Sequence, residues 1–320
     1  MGMLFSTVAV KASDPADLLI GDRLLGATLH FLGEQTLARG HIERMLERYV
    51  GPPNRSDIVR FKFDQRVTAQ MTLSRVLWLQ GFADQAMRTV QHAVDDALSI
   101  QHALSLCNVL GAAACPLAIA SGDLAAADRY AAMMTHHAGR HGADVWLTYR
   151  RCLKGMVLIK RDGFDAGGPM LSAGVAELRS ARFVHYTAFL AALAEGLAGA
   201  GEAVRGLAVV DEALAQSAKA EERWILAELL RLKAELVLLQ DLPNAAAIAA
   251  DYFQQSLEWA RRQGALAWEL RSATSLARLW HRQCKTSQAR ALLAAVSRRF
   301  TEGFDTADLV AAKTLLESFR

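Results

Sequence analysis

Three histidines lie close together, His136, His137 and His141, and His137 and His141 are four residues apart. At that spacing two imidazoles on one helical turn can hold zinc. No glutamate follows His137 as an H-E-x-x-H site requires, and Gly139 and Gly142 mark a helix end, where histidines complement the dipole. The pair therefore supports only an alternative reading, an all-helical enzyme or metal-binding protein. Glu221, Glu222, Glu228 and Glu235 supply carboxylates, and Glu228 and Glu235 share a helical face with Arg231 between them. That is the pattern of an intrahelical ion-pair ladder rather than of an acid–base pair. Cys107, Cys115, Cys152 and Cys284 are widely spaced with no C-x-x-C, and are read as buried thiols of a reducing compartment. Phosphate loop, Rossmann glycines, nucleophile elbow and the paired aspartates of a nucleotide cyclase are all absent from the sequence. The expectation is no enzyme, no catalytic residue, no cofactor and no metal.

The elements that would position any such groups are helical. Of 320 residues, 52% are hydrophobic, only six are proline, and alanine and leucine dominate, which favours helix and excludes disordered or disulfide-scaffold classes. The 36 basic and 33 acidic residues are interspersed, giving a net charge of +3, too balanced for direct nucleic-acid binding. From Ala97 to Gly122 there is no charged residue, but the run is filled with Ala and Ser and broken by Gln101, His102, Asn108 and Pro116. It reads as buried helix of a soluble protein rather than a membrane span. No basic residue precedes Lys11 and no apolar run of signal-peptide length follows, so a cytoplasmic location is expected.

The strongest organisational signal is a recurring triplet: a small residue, an apolar one four positions on, and a small or apolar one three further. Ala38–Ile42–Met45, Ala86–Val90–Ala93, Ala127–Ala131–Met134, Gly167–Leu171–Gly174, Gly206–Val210–Ala213, Ala249–Phe253–Ser256 and Ala289–Leu293–Val296 all fit. Their first members are 48, 41, 40, 39, 43 and 40 residues apart, and Pro52-Pro53-Asn54-Arg55 accounts for the longest interval. The spacing puts each triplet on one helical face, where small residues let a neighbouring helix approach. Polar or glycine-bearing turns such as Gln80-Gly81-Phe82, Ser121-Gly122-Asp123 and Ala200-Gly201-Glu202 precede the triplets. Two helices per unit at this period predict an all-α solenoid.

The triplets resemble the tetratricopeptide (TPR) repeat, with a longer period and without its strict aromatic positions. The fold expected is a TPR-like α-α superhelix of about seven degenerate helix-turn-helix repeats. Residues 14–306 would form one continuous solenoid behind a poorly ordered segment 1–13, and 307–320 a C-terminal capping helix started by Asp305 or Thr306. In such a superhelix the first helix of each unit lines the concave groove. Counting back from the triplets makes Arg75, Trp78, Tyr149, Arg231, Glu235, Arg271, Arg278 and His281 candidate groove residues.

The last third carries a more specific resemblance. Glu222-Arg223-Trp224, Ala227-Glu228-Leu229, Arg231-Leu232-Lys233-Ala234-Glu235, Trp268-Glu269-Leu270-Arg271 and Phe300-Thr301-Glu302-Gly303-Phe304 follow one another in an order similar to the helical tails of bacterial multidomain regulators. Those regulators carry a STAND-type ATPase with a class III adenylate or guanylate cyclase or a winged-helix domain. The turn Gln283-Cys284-Lys285 departs from the pattern, which usually has glycine there. The resemblance implies a non-catalytic scaffold in signal transduction or transcriptional regulation. It would bind a protein, peptide or small effector and serve an ATPase/cyclase or winged-helix domain in cis or in trans.

Overall fold

A computed structural model describes residues 15–50, 56–138, 144–179, 185–240 and 242–319. The segment 1–13, the break at Pro52–Arg55 and His141 with its flanking glycines lie outside the described residues. Those residues contain helices and no strand. The first two hairpins pair α1 (Pro15–Leu32) with α2 (Gln35–Arg48), and, after the short α3 (Ser56–Phe61), α4 (Gln65–Leu79) with α5 (Ala83–Ser99). The third and fourth pair α6 (Ala103–Ser121) with α7 (Leu124–Ala138) and α8 (Asp144–Lys160) with α9 (Phe164–Leu178). The last three pair α10 (Tyr186–Gly199) with α11 (Ala203–Ala220), α12 (Leu226–Leu238) with α13 (Ala245–Gln263), and α14 (Leu266–Arg282) with α15 (Thr286–Ser297). Helix α16 (Ala307–Ser318) closes the chain. This is the TPR-like solenoid that the periodicity predicts.

Each triplet lies on the second helix of its hairpin, and every member is buried except the half-buried Ala131. Small size matters because the backbones nearly touch. A Cβ on Gly167 would lie 2.8 Å from the Gly155 carbonyl oxygen, and one on Gly174 would lie 2.5 Å from Cys152 Sγ. In every hairpin but the sixth the turn also shares a backbone device, a left-handed residue two positions before the second helix. Gly81 holds it at φ 92°, and Cys284 holds it in the last hairpin at φ 60°. Cys284 is therefore exposed on a turn, correcting the expectation of a buried thiol, while Cys107, Cys115 and Cys152 are buried.

Helix α6 is long and apolar enough to cross a membrane by composition, yet most of it is buried among its neighbours. It stays continuous across Pro116 by widening one turn: the Cys115 amide reaches back to the Leu110 carbonyl, giving π-helical turns over Leu110–Ala114. Proline lacks an amide and crowds the carbonyl four residues earlier, and the wider turn relieves that clash.

The hairpins stack into a superhelix that returns on itself. The Phe31 carbonyl accepts the amides of Arg223 at 2.7 Å and Trp224 at 3.2 Å, laying the sixth hairpin over the first. Helix α14 contacts α4, laying the seventh over the second, and α16 contacts the end of α6. Phe82, at the N-cap of α5, has no side chain able to cap. Glu302 does it from 217 residues away, accepting the Gln85 amide at 2.8 Å and the Gln85 side-chain amide at 2.9 Å. Thr306 holds the N-cap position of α16 but donates its hydroxyl to the Gly303 carbonyl at 2.7 Å instead of accepting a helix amide. The expected residue is in place, and the expected side-chain cap is not made.

Two outcomes follow. Gly167→Ala should lower stability by about 1–3 kcal/mol through overpacking. Gly40→Ala, within α2 and with open space around a new Cβ, should raise it by up to about 1 kcal/mol. Denaturant melts giving equal effects at both sites would refute the seam. Glu302→Ala should cost about 1–2 kcal/mol, the range for a lost helix cap, and amide exchange should quicken at the start of α5. Unchanged exchange there would count against the long-range cap.

Candidate functional site

Where the first helices of the hairpins converge, the superhelix forms a half-open cavity of about 350 Å³, within the range of small-ligand sites. Its walls come from α4, α6, α8, α10, α12 and α14, with Trp224 and Ile225 from the turn before α12, Gly122 and Leu124 from the third hairpin, and Ala307 and Asp308 from α16. Trp78, Trp224 and Trp268 form an aromatic side, with the Trp78 and Trp268 rings edge-to-face at 5.0 Å. Trp268 Nε1 donates to the Trp224 carbonyl at 3.0 Å, and Trp224 Nε1 to Glu222 at 2.7 Å, so the indole polar edges are satisfied within the wall. Leu117, Ile119, Met156 and Leu232 supply aliphatic surface, and Ala188, Ala191 and Ala192 on α10 leave the space.

The cavity carries charge at two places. The first is an ion-pair network. Lys160 pairs with Glu195 at 2.7 Å, and Arg271 reaches Glu228 at 2.8 Å, Asp308 at 3.6 Å and Glu195 at 3.7 Å. Behind Glu228, Arg231 grips both its oxygens at 2.8 Å and lies 3.6 Å from Glu235. The ion-pair ladder read from the sequence is present, but it is buried and continues across helices. Burial would raise the Glu195 carboxyl, and Lys160, Arg271 and Arg231 outweigh it, holding the group at about 2. Burial likewise opposes ionisation of Glu228, and Arg231 and then Arg271 overcome it.

The second place is Arg75, only 7% exposed. Its guanidinium carbon lies 4.7 Å from the Trp224 ring and 5.3 Å from the Phe31 ring, which clamp it by cation–π contact. Nη1 donates to His185 Nε2 at 3.2 Å, so His185 is the neutral tautomer protonated at Nδ1. Nη2 is buried with no hydrogen-bond partner, and among the described residues no carboxylate pairs with Arg75. Desolvation lowers its pKa to about 9 against the longer-range pull of Glu222 and then Tyr149, which still leaves it charged at neutral pH. His30 is beside the same two rings, 5.3 Å from Phe31 and 5.6 Å from Trp224. Its Nδ1 donates to Gln35 Oε1 at 2.8 Å, leaving Nε2 a buried acceptor without a donor. Burial, then the Arg75 charge, hold both His30 and His185 well below the ordinary histidine pKa.

Of the groove candidates, Arg75, Trp78 and Arg271 line the cavity, while Arg231 and the half-buried Glu235 back its ion network. Tyr149 is buried in the wall behind, edge-to-face with Phe189 at 5.2 Å. Arg278 and His281 are exposed farther along α14, with the His281 ring 5.0 Å from Phe319. His137 is half-buried on the last turn of α7, and among the described residues no three metal-ligating side chains cluster. The groove count did not select Lys160, Glu195, Trp224, Glu228, Trp268 or Asp308, nor the histidines beside Arg75. Glu228, Trp224 and Trp268 recur one turn from counted positions or just before a first helix, the nearest thing to a signal for them.

No family model matches the sequence, and no curated protein matches it. Solved structures match the fold. The Rap protein complexed with competence and sporulation factor aligns over 96% of this chain and 81% of its own, at 11% identity and TM-score 0.60. The apo form of RapI aligns over 93% of this chain and 98% of its own, at 10% identity and TM-score 0.54. A STAND protein with a tetratricopeptide repeat sensor from Pyrococcus horikoshii covers 98% of this chain and 48% of its own at 11% identity, and its TM-score of 0.49 is too low for an argument from shared fold.

The two buried imidazoles make stability pH-dependent. They stay neutral in the folded chain and become protonated below about pH 6.5 in the unfolded one. The unfolded state then binds more protons as pH falls, and stability drops by about 1.4 kcal/mol per pH unit for each histidine. His185→Gln keeps an acceptor for Arg75 and removes one titrating group. Its melting temperature should fall less than that of the unsubstituted chain between pH 7 and 5, and equal slopes would count against a neutral His185.

Proposed function

We propose that the chain is a non-catalytic helical-repeat sensor that holds a short peptide or small effector in its central cavity. It would pass the ligand state to a partner protein in cytoplasmic signal transduction or transcriptional regulation. The observation that carries this reading is the cavity itself, in which six first helices and the capping segment converge on one apolar, tryptophan-lined space. Its lining includes no serine, cysteine or histidine that could act as a nucleophile or base, and its carboxylates are tied into ion pairs. An arrangement of that kind suits retention of a ligand more than turnover.

Two further lines support it. The fold is shared with a Rap protein whose structure was solved in complex with competence and sporulation factor. The last third of the sequence is similar to the tails of regulators with a STAND-type ATPase and a cyclase or winged-helix domain, which makes such a domain, in cis or in trans, the receiver of the signal.

The test is a thermal-shift screen of low-molecular-mass fractions from an extract of the native host. At least one fraction should raise the melting temperature of the unsubstituted chain and leave Ala192→Phe, in which a ring fills the cavity, unmoved. Fractions that shift both proteins equally, or none that shifts the unsubstituted chain, would overturn the reading.

A further inference from the structure

We infer that Arg75 is a carboxylate anchor, and that the cavity takes a monocarboxylate with an apolar, planar or branched body. The inference rests on the reading of the cavity as a ligand site and names the chemistry of its occupant.

The argument starts from charge. Every other ionised group lining the cavity has an oppositely charged neighbour within 4 Å: Lys160 with Glu195, and Arg271 with Glu228 and Asp308. Among the described residues Arg75 has no carboxylate within ion-pair distance; Glu222, which accepts from Trp224 Nε1, acts on it only at longer range. Arg75 Nη1 is on a neutral imidazole, its flat faces are covered by Phe31 and Trp224, and Nη2 has no acceptor. A buried guanidinium left without an anion costs several kcal/mol relative to one that is paired. A residue that needed only to fill this space would do so better as methionine or leucine. A planar fork with unsatisfied donors, fixed by rings on either side, matches one carboxylate.

The rest of the lining limits the ligand further. The Lys160–Glu195–Arg271–Glu228–Asp308 network already pairs its own cations, so among the lining cations Arg75 is the one that keeps an unpaired donor. One carboxylate can take that donor, whereas a phosphate dianion would bring two negative charges near Glu195, Glu228 and Asp308. The surface reached from Arg75 is indole and aliphatic, which favours an apolar body over a sugar or a second ionic group. A free aromatic or branched acid has this chemistry, and so does the C-terminus of a short apolar peptide.

The probes are naphthalene-1-acetate against naphthalene-1-acetamide, and N-acetyl-leucyl-phenylalanine against its C-terminal amide. Binding is read by tryptophan fluorescence, since three of the six tryptophans line the cavity, and by melting temperature. In the unsubstituted chain at least one acid should bind about tenfold or more tighter than its amide, the scale of one charge-assisted hydrogen-bonded contact. Arg75→Met should equalise acid and amide while melting no lower than the unsubstituted chain. Arg75→Lys should keep part of the preference. Preference for the small acid alone identifies a free acid as the source, and preference for the peptide acid alone identifies a chain terminus.

Acid and amide binding equally, with both lost in Ala192→Phe, would overturn the anchor and leave the cavity reading standing. An acid preference that survives in Arg75→Met would overturn it as well, as would failure of every probe to bind. If Arg75→Met proves unfolded, the acid–amide ratio in Arg75→Lys decides: a ratio equal to that of the unsubstituted chain would refute the bidentate anchor.

Discussion

The carbonyl oxygen of Phe31, receiving the amides of Arg223 and Trp224, is the contact on which the interior depends. Hairpins in a solenoid touch only their neighbours, so repeat packing alone leaves an open spiral. Joining the first hairpin to the sixth brings Trp224 onto Arg75, and joining the second to the seventh brings Trp78 onto Trp268. The cavity is thus a product of closure. A cap supplied by Glu302 to α5 across 217 residues belongs to the same set of contacts.

This explains what the sequence disclosed and what it concealed. The triplets were legible because they report contacts between helices adjacent in the chain, where periodicity and side-chain size reflect the seam directly. Helix α4 was not legible in that way. Closure covers it from both sides, so every residue from Gln65 to Leu79 except Arg66 is buried, and no apolar stripe distinguishes an inner face. Its polar residues survive burial by bonding locally, Thr72 to the Thr68 carbonyl at 3.0 Å and Ser74 to the Met71 carbonyl at 2.8 Å. Arg278 shows the opposite error. It is on the same stripe of α14 as Arg271, seven residues on, but about 10 Å along the helix axis carries it past the cavity into solvent.

Charge is distributed with similar economy. A sequence with 36 basic and 33 acidic residues predicts no site by net charge, and in the ion network Lys160, Arg231 and Arg271 each have a carboxylate within 4 Å. What distinguishes Arg75 is invisible in composition. It is the one lining cation with no carboxylate at ion-pair distance among the described residues once closure has fixed its neighbours, and that can be seen only in three dimensions.

The space itself follows from unequal side chains on otherwise similar helices. Small residues on the second helices let backbones approach until Gly167 and Gly155 nearly meet, which draws the ring tight. Were the inner faces equally bulky, such a ring would be solid, because protein interiors pack to crystal-like density. Helix α10 presents Ala188, Ala191 and Ala192 where α4 and α14 present Trp78 and Trp268, and the volume withheld on one wall becomes the hollow facing the tryptophans. Alanine therefore has two roles in this chain, closing the seams on the outer layer and opening the cavity on the inner one. Its abundance alone could not have told them apart.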